Sequence, residues 1–588
     1  MALAVFGSDA LSSIAYAPQE MLVILAAAGP LALGYAFPIS IVIVVLLTIV
    51  TISYQQTIHA YPGGGGAYTV SRENLGDLAG LVAGTALLTD YVLLAAVAVS
   101  SGVAQIVSAF PALLPYRVSF AVGMLLLIML ANLRGVKESG NLFAWPTYFF
   151  LAMTILTVGA GFFRYATGRL GPLADPPLDA LRATQPLTLF LLLRAFSNGT
   201  TALTGVECIS NGVTAFKEPS TDNAARTMVW MSGLLGGLFL GVTFLLGAMG
   251  AVPSESETVI SQLARSVFAG RNVLYLGTIA ATTIILILAT NTAFADFPRL
   301  TAAIGADGFL PRQLAYRGSR LVFTRGILAL TAVATLLVIV FQASVTALVP
   351  LWAVGVFVSF TLSQAGMTRH WWRDGHGQTR PDRGWRWKMW VNGFGAVCTA
   401  VVSVIFAVTK FRDGAWIIVL VIPSLVAVLI VIHRHYDRLV EDLSLKQFGR
   451  PERTRRHRVV VPIAGVHRGT LVTLDYARSL SADVTAVHIS IDKAATAHVR
   501  EAWQLWGEGV RLVIIDSPYR AFLEPFLEYV ESLIQQQQPN ERITIVVGQF
   551  VPRHWWHNLL HTQTAFWLRF ALLAKRGIVV TEVPYQVD

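Results

Sequence analysis

Of the 588 residues, 54% are hydrophobic and 13% charged, roughly half the charged share of a soluble protein, and the mean hydropathy is +0.60. The apolar residues come in blocks close to the ~20 residues that cross a bilayer, which excludes a string of soluble domains. A net charge of +10 would suit a nucleic-acid binder, but Lys and Arg cluster in loops between the apolar blocks, so the expected partner is the lipid bilayer and not nucleic acid.

In chain order, the opening stretch has no basic region and reaches Asp9 at once, so no cleavable signal peptide is expected. About twelve spans follow, at 2–29, 35–58, 78–109, 118–133, 143–164, 189–213, 227–250, 272–298, 325–342, 345–367, 389–409 and 414–433. An even count puts both termini on one side. Loops on that side hold Arg72, Arg134, Lys137, Lys217, Arg226 and Arg299, whereas the opposite loops hold Arg117, Arg169, Arg271 and the acidic run at 254–257. This bias predicts cytoplasmic termini in a multi-pass protein of a bacterial inner membrane. Pro62 through Gly66 lacks the Gly-Lys-Ser/Thr ending of a phosphate loop and reads as a tight turn.

The transport unit is thus expected at 1–433, a basic linker at 434–454, and a different kind of domain at 455–588. In that tail, strands at 459–463, 484–491, 511–515, 543–547 and 578–583 alternate with helical stretches, which predicts βαβ units and a mostly parallel sheet. Cys208 and Cys398, the chain's two cysteines, lie in apolar blocks and exclude a disulfide framework.

The chemistry concentrates in spans one and six. Ser8-Asp9-Ala10-Leu11-Ser12-Ser13 with Tyr16, and Asn198-Gly199-Thr200-Thr201 through Thr204-Gly205-Val206-Glu207, each place small polar residues and a carboxylate inside an apolar block. Interrupted helices at matching positions of two halves point to a binding site at mid-membrane depth. Asp90 in span three adds a third carboxylate. An ionisable group at that depth costs a few kcal/mol and faces a cavity or a partner; the competing reading is an ion pair with a buried base or an interfacial position. Three anions and several hydroxyls suit a hard cation.

At these residues the chain resembles the amino acid–polyamine–organocation (APC) superfamily and, within it, the KimA-type potassium transporters. The resemblance rests on the two stretches above, Tyr61 through Tyr68, Asp90-Tyr91-Val92-Leu93, and Asn291-Thr292 with Phe294 through Leu300. It implies a LeuT-type five-plus-five inverted repeat with two added spans, and potassium uptake driven by protons, the two transported ions; no cofactor is implied. Asp9, Tyr16, Asp90, Thr204 and Glu207 match ion-binding or proton-coupling positions, with potassium expected at Asp9, Asp90, Thr204 and Glu207. Ser8, Ser12 and Trp352 are candidate pore-lining residues. Leu94, Ala98 and Trp352 stand where the family carries oxygen-bearing side chains. The tail resembles a universal-stress-protein-like (USP-like) α/β domain but lacks the glycine fingerprint of the ATP-binding members. Tails of this kind imply a homodimer and a cyclic dinucleotide regulator. His467, Arg468, Tyr519 and Arg520 are the candidate nucleotide-binding residues, with plain surface side chains as the alternative.

Three functions remain open at this point. The first is a proton-coupled potassium importer. The second is an amino acid or cationic amine permease, with a zwitterion disfavoured by Asp9 and a cationic amine favoured by Leu94, Ala98 and Trp352. The third is a membrane sensor with a regulatory tail. An enzyme is not expected, because no nucleophile–base pair or metal spacing emerges.

Overall fold

A computed structural model describes residues 3–587 except 4–5, 65, 135–139, 174–183, 255, 317–322, 378–382, 445–455, 518–520, 553–563 and 574. Two compact units result, Met1–Asp442 and Leu443–Asp588.

In the first unit, nine helices among the described residues are long and apolar enough to cross a membrane. Thr324–Val340 is a shorter apolar helix. The first and sixth apolar blocks are interrupted, as their small polar residues predict: one is Ser8–Ser12, a 3-10 turn and Ala17–Ala26, the other Leu189–Gly199, a 3-10 turn and Glu207–Asn211. Two short helices lie outside the expected spans, Ala67–Leu75 after the glycine turn and Val259–Val267 after the acidic loop.

Burial sorts the helices. Asp77–Ala109 is 83% buried over its apolar window and packs on Val273–Ala306 and Val345–His376, whereas Pro111–Leu133 is 17% buried. Asp77–Ala109 is therefore a central post. Outer helices such as Trp385–Lys410 turn Trp390, Val397, Val401 and Val404 outward, as lipid contact requires. The end of the bundle where Ala17–Ala26 finishes and Val345–His376 begins is called the far end below. At the near end, Arg72 joins Asp77 and Asp307, and Tyr68 donates to Asp307 at 2.7 Å. Partial burial, together with that carboxylate, pushes the Tyr68 hydroxyl well above the ordinary phenol range, so it stays a donor.

The second unit is a five-stranded parallel sheet in the order β3-β2-β1-β4-β5, with β1 Arg456–Ile463, β2 Asp483–Ser490, β3 Arg511–Asp516, β4 Glu541–Pro552 and β5 Ile578–Val587. Side chains alternate across the pleat. Val459, Val461 and Ile463 pack one face with Leu474, Ala477 and Trp503; Val460 packs the other with Phe526, Val530 and Leu572. Both faces are covered, which is why the strands are apolar throughout. The helix Thr564–Leu573 is an addition to the sequence-based expectation.

Candidate functional site

The two interruptions meet. In the first, Ser12 and Ser13 hydroxyls donate to the carbonyls of Asp9 (2.7 Å) and Ala10 (2.6 Å), and Ser13 also reaches the carbonyl of Ala202 at 3.1 Å. In the second, Thr200, Thr201 and Thr204 donate to carbonyls three residues back, at 2.8, 2.7 and 2.9 Å. Such back-bonding competes with the helical ladder. The helix opens at Thr204, which is extended, and at Gly205, with φ +81°. A methyl group on Gly205 would lie 2.7 Å from Asp9 Oδ2 and 2.8 Å from the Ala10 nitrogen, so only glycine lets the two openings touch.

The sequence-predicted residues fall into neighbouring pairs. Thr204 has spent its proton on Thr201, so Tyr16 is the donor in the 3.3 Å bond between their hydroxyls. The Cys208 thiol donates to Asp9 Oδ2 at 3.7 Å. The Trp352 indole N–H donates to Asp90 Oδ1, and its ring lies 5.7 Å from that of Tyr16. Trp352 thus keeps a polar hydrogen on Asp90. Asp9, Asp90 and Glu207 are all nearly inaccessible, at 1, 2 and 1% exposure. The backbone N–H groups of Gly205 and Glu207 face the Glu207 carboxylate. Glu207 Oε2 and Asp9 Oδ1 have no partner among the described residues.

The expected pore-lining side chains Ser8, Ser12 and Trp352 are likewise buried, so this arrangement is closed around them. Among the described residues no group of three or more His, Cys, Asp or Glu side chains converges as metal ligands do. Of the four residues expected to hold potassium, Asp9, Thr204 and Glu207 lie at the junction of the two openings, and Asp90 is bonded by Trp352. Chemically the lining is one-sided: Ser12, Thr201 and Thr204 give their protons to the backbone, leaving lone pairs beside unpartnered carboxylate oxygens. Such a surface accepts a cation or a proton and repels an anion.

Asp296, Glu20 and Lys410 are ionisable residues of the apolar blocks that were given no site role from the sequence. Asp296 pairs with Arg299 at 3.4 Å, and its charge acts on Asp9 and Glu207. Glu20 and Lys410 are buried at the far end, at 0 and 1% exposure. Their signal in the sequence was the same as for Asp90, charge within an apolar run.

In the tail, His467 caps the helix Arg468–Leu480 by accepting from the Thr470 N–H at 3.3 Å. It edges a cavity of about 130 Å³ between the carboxyl ends of β1 and β4, with Thr473, Phe522, Gly548 and Tyr585. That is the point where strand order reverses, the usual ligand position of such sheets. Arg468 is exposed, and Tyr519 and Arg520 lie outside the described residues.

Residues 1–432 match the family model described as amino acid permease. The chain belongs to the amino acid permease family. Residues 455–585 of this permease match a second model, the KimA potassium transporter C-terminal domain. The permease is 41% identical over 589 residues to the potassium transporter KimA of Bacillus subtilis (strain 168), covering 99% of this chain and 95% of that protein. Crystal structures of a manganese transporter from Eremococcus coleocola align with 75% of the permease and 96% of their own chain at 13% identity and a TM-score of 0.39, too low to carry an argument. The protein is a membrane transporter with multiple apolar helices, not an enzyme.

Proposed function

We propose that this permease imports potassium together with protons across a bacterial inner membrane, with both termini in the cytoplasm. The observation that carries the reading is the junction of the two openings. There Asp9 and Glu207 each present an unpartnered carboxylate oxygen beside hydroxyls whose protons are already spent. The name of the Bacillus subtilis relative supports potassium as the cation. Potassium accepts many oxygen ligands, and small displacements of Asp9, Tyr16, Asp90, Thr204 and Glu207 would converge them on it. Glu207, free at one oxygen, is the group assigned to carry the proton.

In proteoliposomes the wild type is expected to take up potassium and acidify the lumen. Glu207→Gln preserves the volume but cannot cycle a charge, and is expected to abolish both while keeping the fold. Normal lumen acidification by that variant would remove Glu207 from the mechanism. A cationic amine is the second reading, favoured by the paired rings of Tyr16 and Trp352. Competition by amines, in place of rubidium, against potassium uptake would establish it. The tail is assigned a pairing and regulatory role, with a cyclic dinucleotide bound beside His467 and Arg468. Its small cavity is below the ~300 Å³ of ordinary ligand pockets, so most of the contact would lie on the surface around Arg468. Melting of the full chain against added cyclic dinucleotide tests this.

A further inference from the structure

Glu20 sits on Ala17–Ala26, beyond the first opening and away from the junction. Its side chain is completely inaccessible. Oε1 accepts from the Thr346 hydroxyl at 3.0 Å, Oε2 has no partner among the described residues, and Asn198 Nδ2 donates to its backbone carbonyl at 2.9 Å. A carboxylate this deep with one empty oxygen is costly unless it holds something.

The way to it is visible. A cavity of about 440 Å³ at the far end is lined by Gln19, Val103, Arg117, Thr258, Ser344 and Thr346. Thr346 is exposed there, so one hydroxyl separates Glu20 from the cavity.

The charged surroundings select the ligand. Lys410, also buried, lies 3.7 Å from Asp413 and within charge reach of Glu20; Arg194 bonds Asp413 at 2.5 Å. The other helices packed on Ala17–Ala26 bring the charges that follow, and Arg117 lines the cavity itself. His59 pairs with Asp222 at the near end, where Arg226 also lies, and Arg265 pairs with Glu257. One carboxylate and one hydroxyl, with Lys410 and Arg194 both held by Asp413, offer too few oxygens for a metal cation. A proton needs one lone pair.

We propose that Glu20 is the far-side proton acceptor of this transporter, loaded from the far-end cavity through Thr346. The Thr346 oxygen takes a proton from a cavity hydronium while its own hydroxyl proton passes to Glu20 Oε1. One water is left in the cavity, the carboxylate becomes a neutral acid, and Thr346 is unchanged. Lys410 makes the empty carboxylate tolerable and tunes how readily it loads. This rests on the reading of the protein as a proton-coupled cation importer and adds to it a residue outside the junction.

The test uses the full chain in proteoliposomes, following potassium uptake and lumen pH across a series of external pH values. In Glu20→Gln, potassium affinity is expected to stay within about threefold of the wild type, while the stimulation of uptake by external acid disappears and proton influx falls tenfold or more. Lys410→Met, which removes a nearby positive charge, is expected to shift the pH profile of uptake upward without abolishing it, a change that a merely structural lysine would not cause. If Glu20→Gln does not fold, Thr346→Val carries the same expectation for proton influx with the carboxylate intact. Wild-type proton influx in either variant, or loss of potassium binding in Glu20→Gln, overturns the proposal. A wild type that carries potassium without regard to pH does so too. A wild type that neither binds nor carries potassium brings down the functional reading, and the proposal with it.

Discussion

Gly205→Ala is the sharpest test of the junction. The added methyl would sit 2.7 Å from Asp9 Oδ2 and 2.8 Å from the Ala10 nitrogen, where ordinary contact begins at 3.4 Å. The carboxylate could swing aside, but the backbone nitrogen cannot, so the two openings must part by about 0.6 Å. Alanine at φ +81° adds about 1–2 kcal/mol of backbone strain to an overpacking cost of about 1–3 kcal/mol. The sum, about 2–5 kcal/mol, falls on the geometry that brings Asp9 to Glu207 and Thr204. Since a displacement near 1 Å at a reacting site can cost about a hundredfold, the variant should lose at least tenfold in potassium affinity and melt earlier. Gly63→Ala is the control, because a methyl there meets nothing within 4 Å. Calorimetric titration with potassium in detergent and a melting curve provide the readout. Wild-type affinity and stability in Gly205→Ala would show that the openings do not depend on their contact, and the site built on them would fall.

Trp352→Phe keeps a ring against Tyr16 but leaves Asp90 without its indole donor, a charged hydrogen bond of about 1.5–3 kcal/mol. The cation-free protein should melt earlier, and potassium, no longer competing with the indole, should bind about tenfold tighter; weaker binding would mean that Trp352 holds Asp90 in place for the ion. Asp90→Asn should weaken potassium binding by tenfold or more in the same titration, and unchanged affinity would return Asp90 to a structural role. In the tail, Phe526→Ala empties a fully buried site and should cost about 3–5 kcal/mol, a large part of a small domain's stability, read by urea unfolding of residues 455–588.

The parts legible in the sequence were those set by local pattern. Small polar residues inside an apolar block predict an interrupted helix, and both interruptions occur where Asp9 and Glu207 lie. Continuous apolar runs predict the tail's strands, each within a few residues of its place. Span ends were read short for a physical reason: hydropathy reports where the bilayer ends, not where the helix does. The estimates ending at 298, 367 and 433 therefore stop before Ala306, His376 and Asp442, which continue as polar helix. The tail helix Thr564–Leu573 was illegible because Phe566, Trp567, Phe570 and Leu573 make its exposed side apolar too, which erases the helical period.

What no local pattern carries is which spans touch. The bond from Trp352 to Asp90 and the contact of Gly205 with Asp9 join residues far apart in the chain, and spacing along a helix says nothing about its neighbours. Trp352 shows the consequence. Read as a letter in a motif it is a lost oxygen; placed in the fold it supplies the donor that satisfies Asp90. Leu94 and Ala98 offer no such substitute, since both are buried hydrocarbon. Spare oxygen lone pairs lie instead at the openings themselves, where Ser12, Thr201 and Thr204 direct their protons into the backbone.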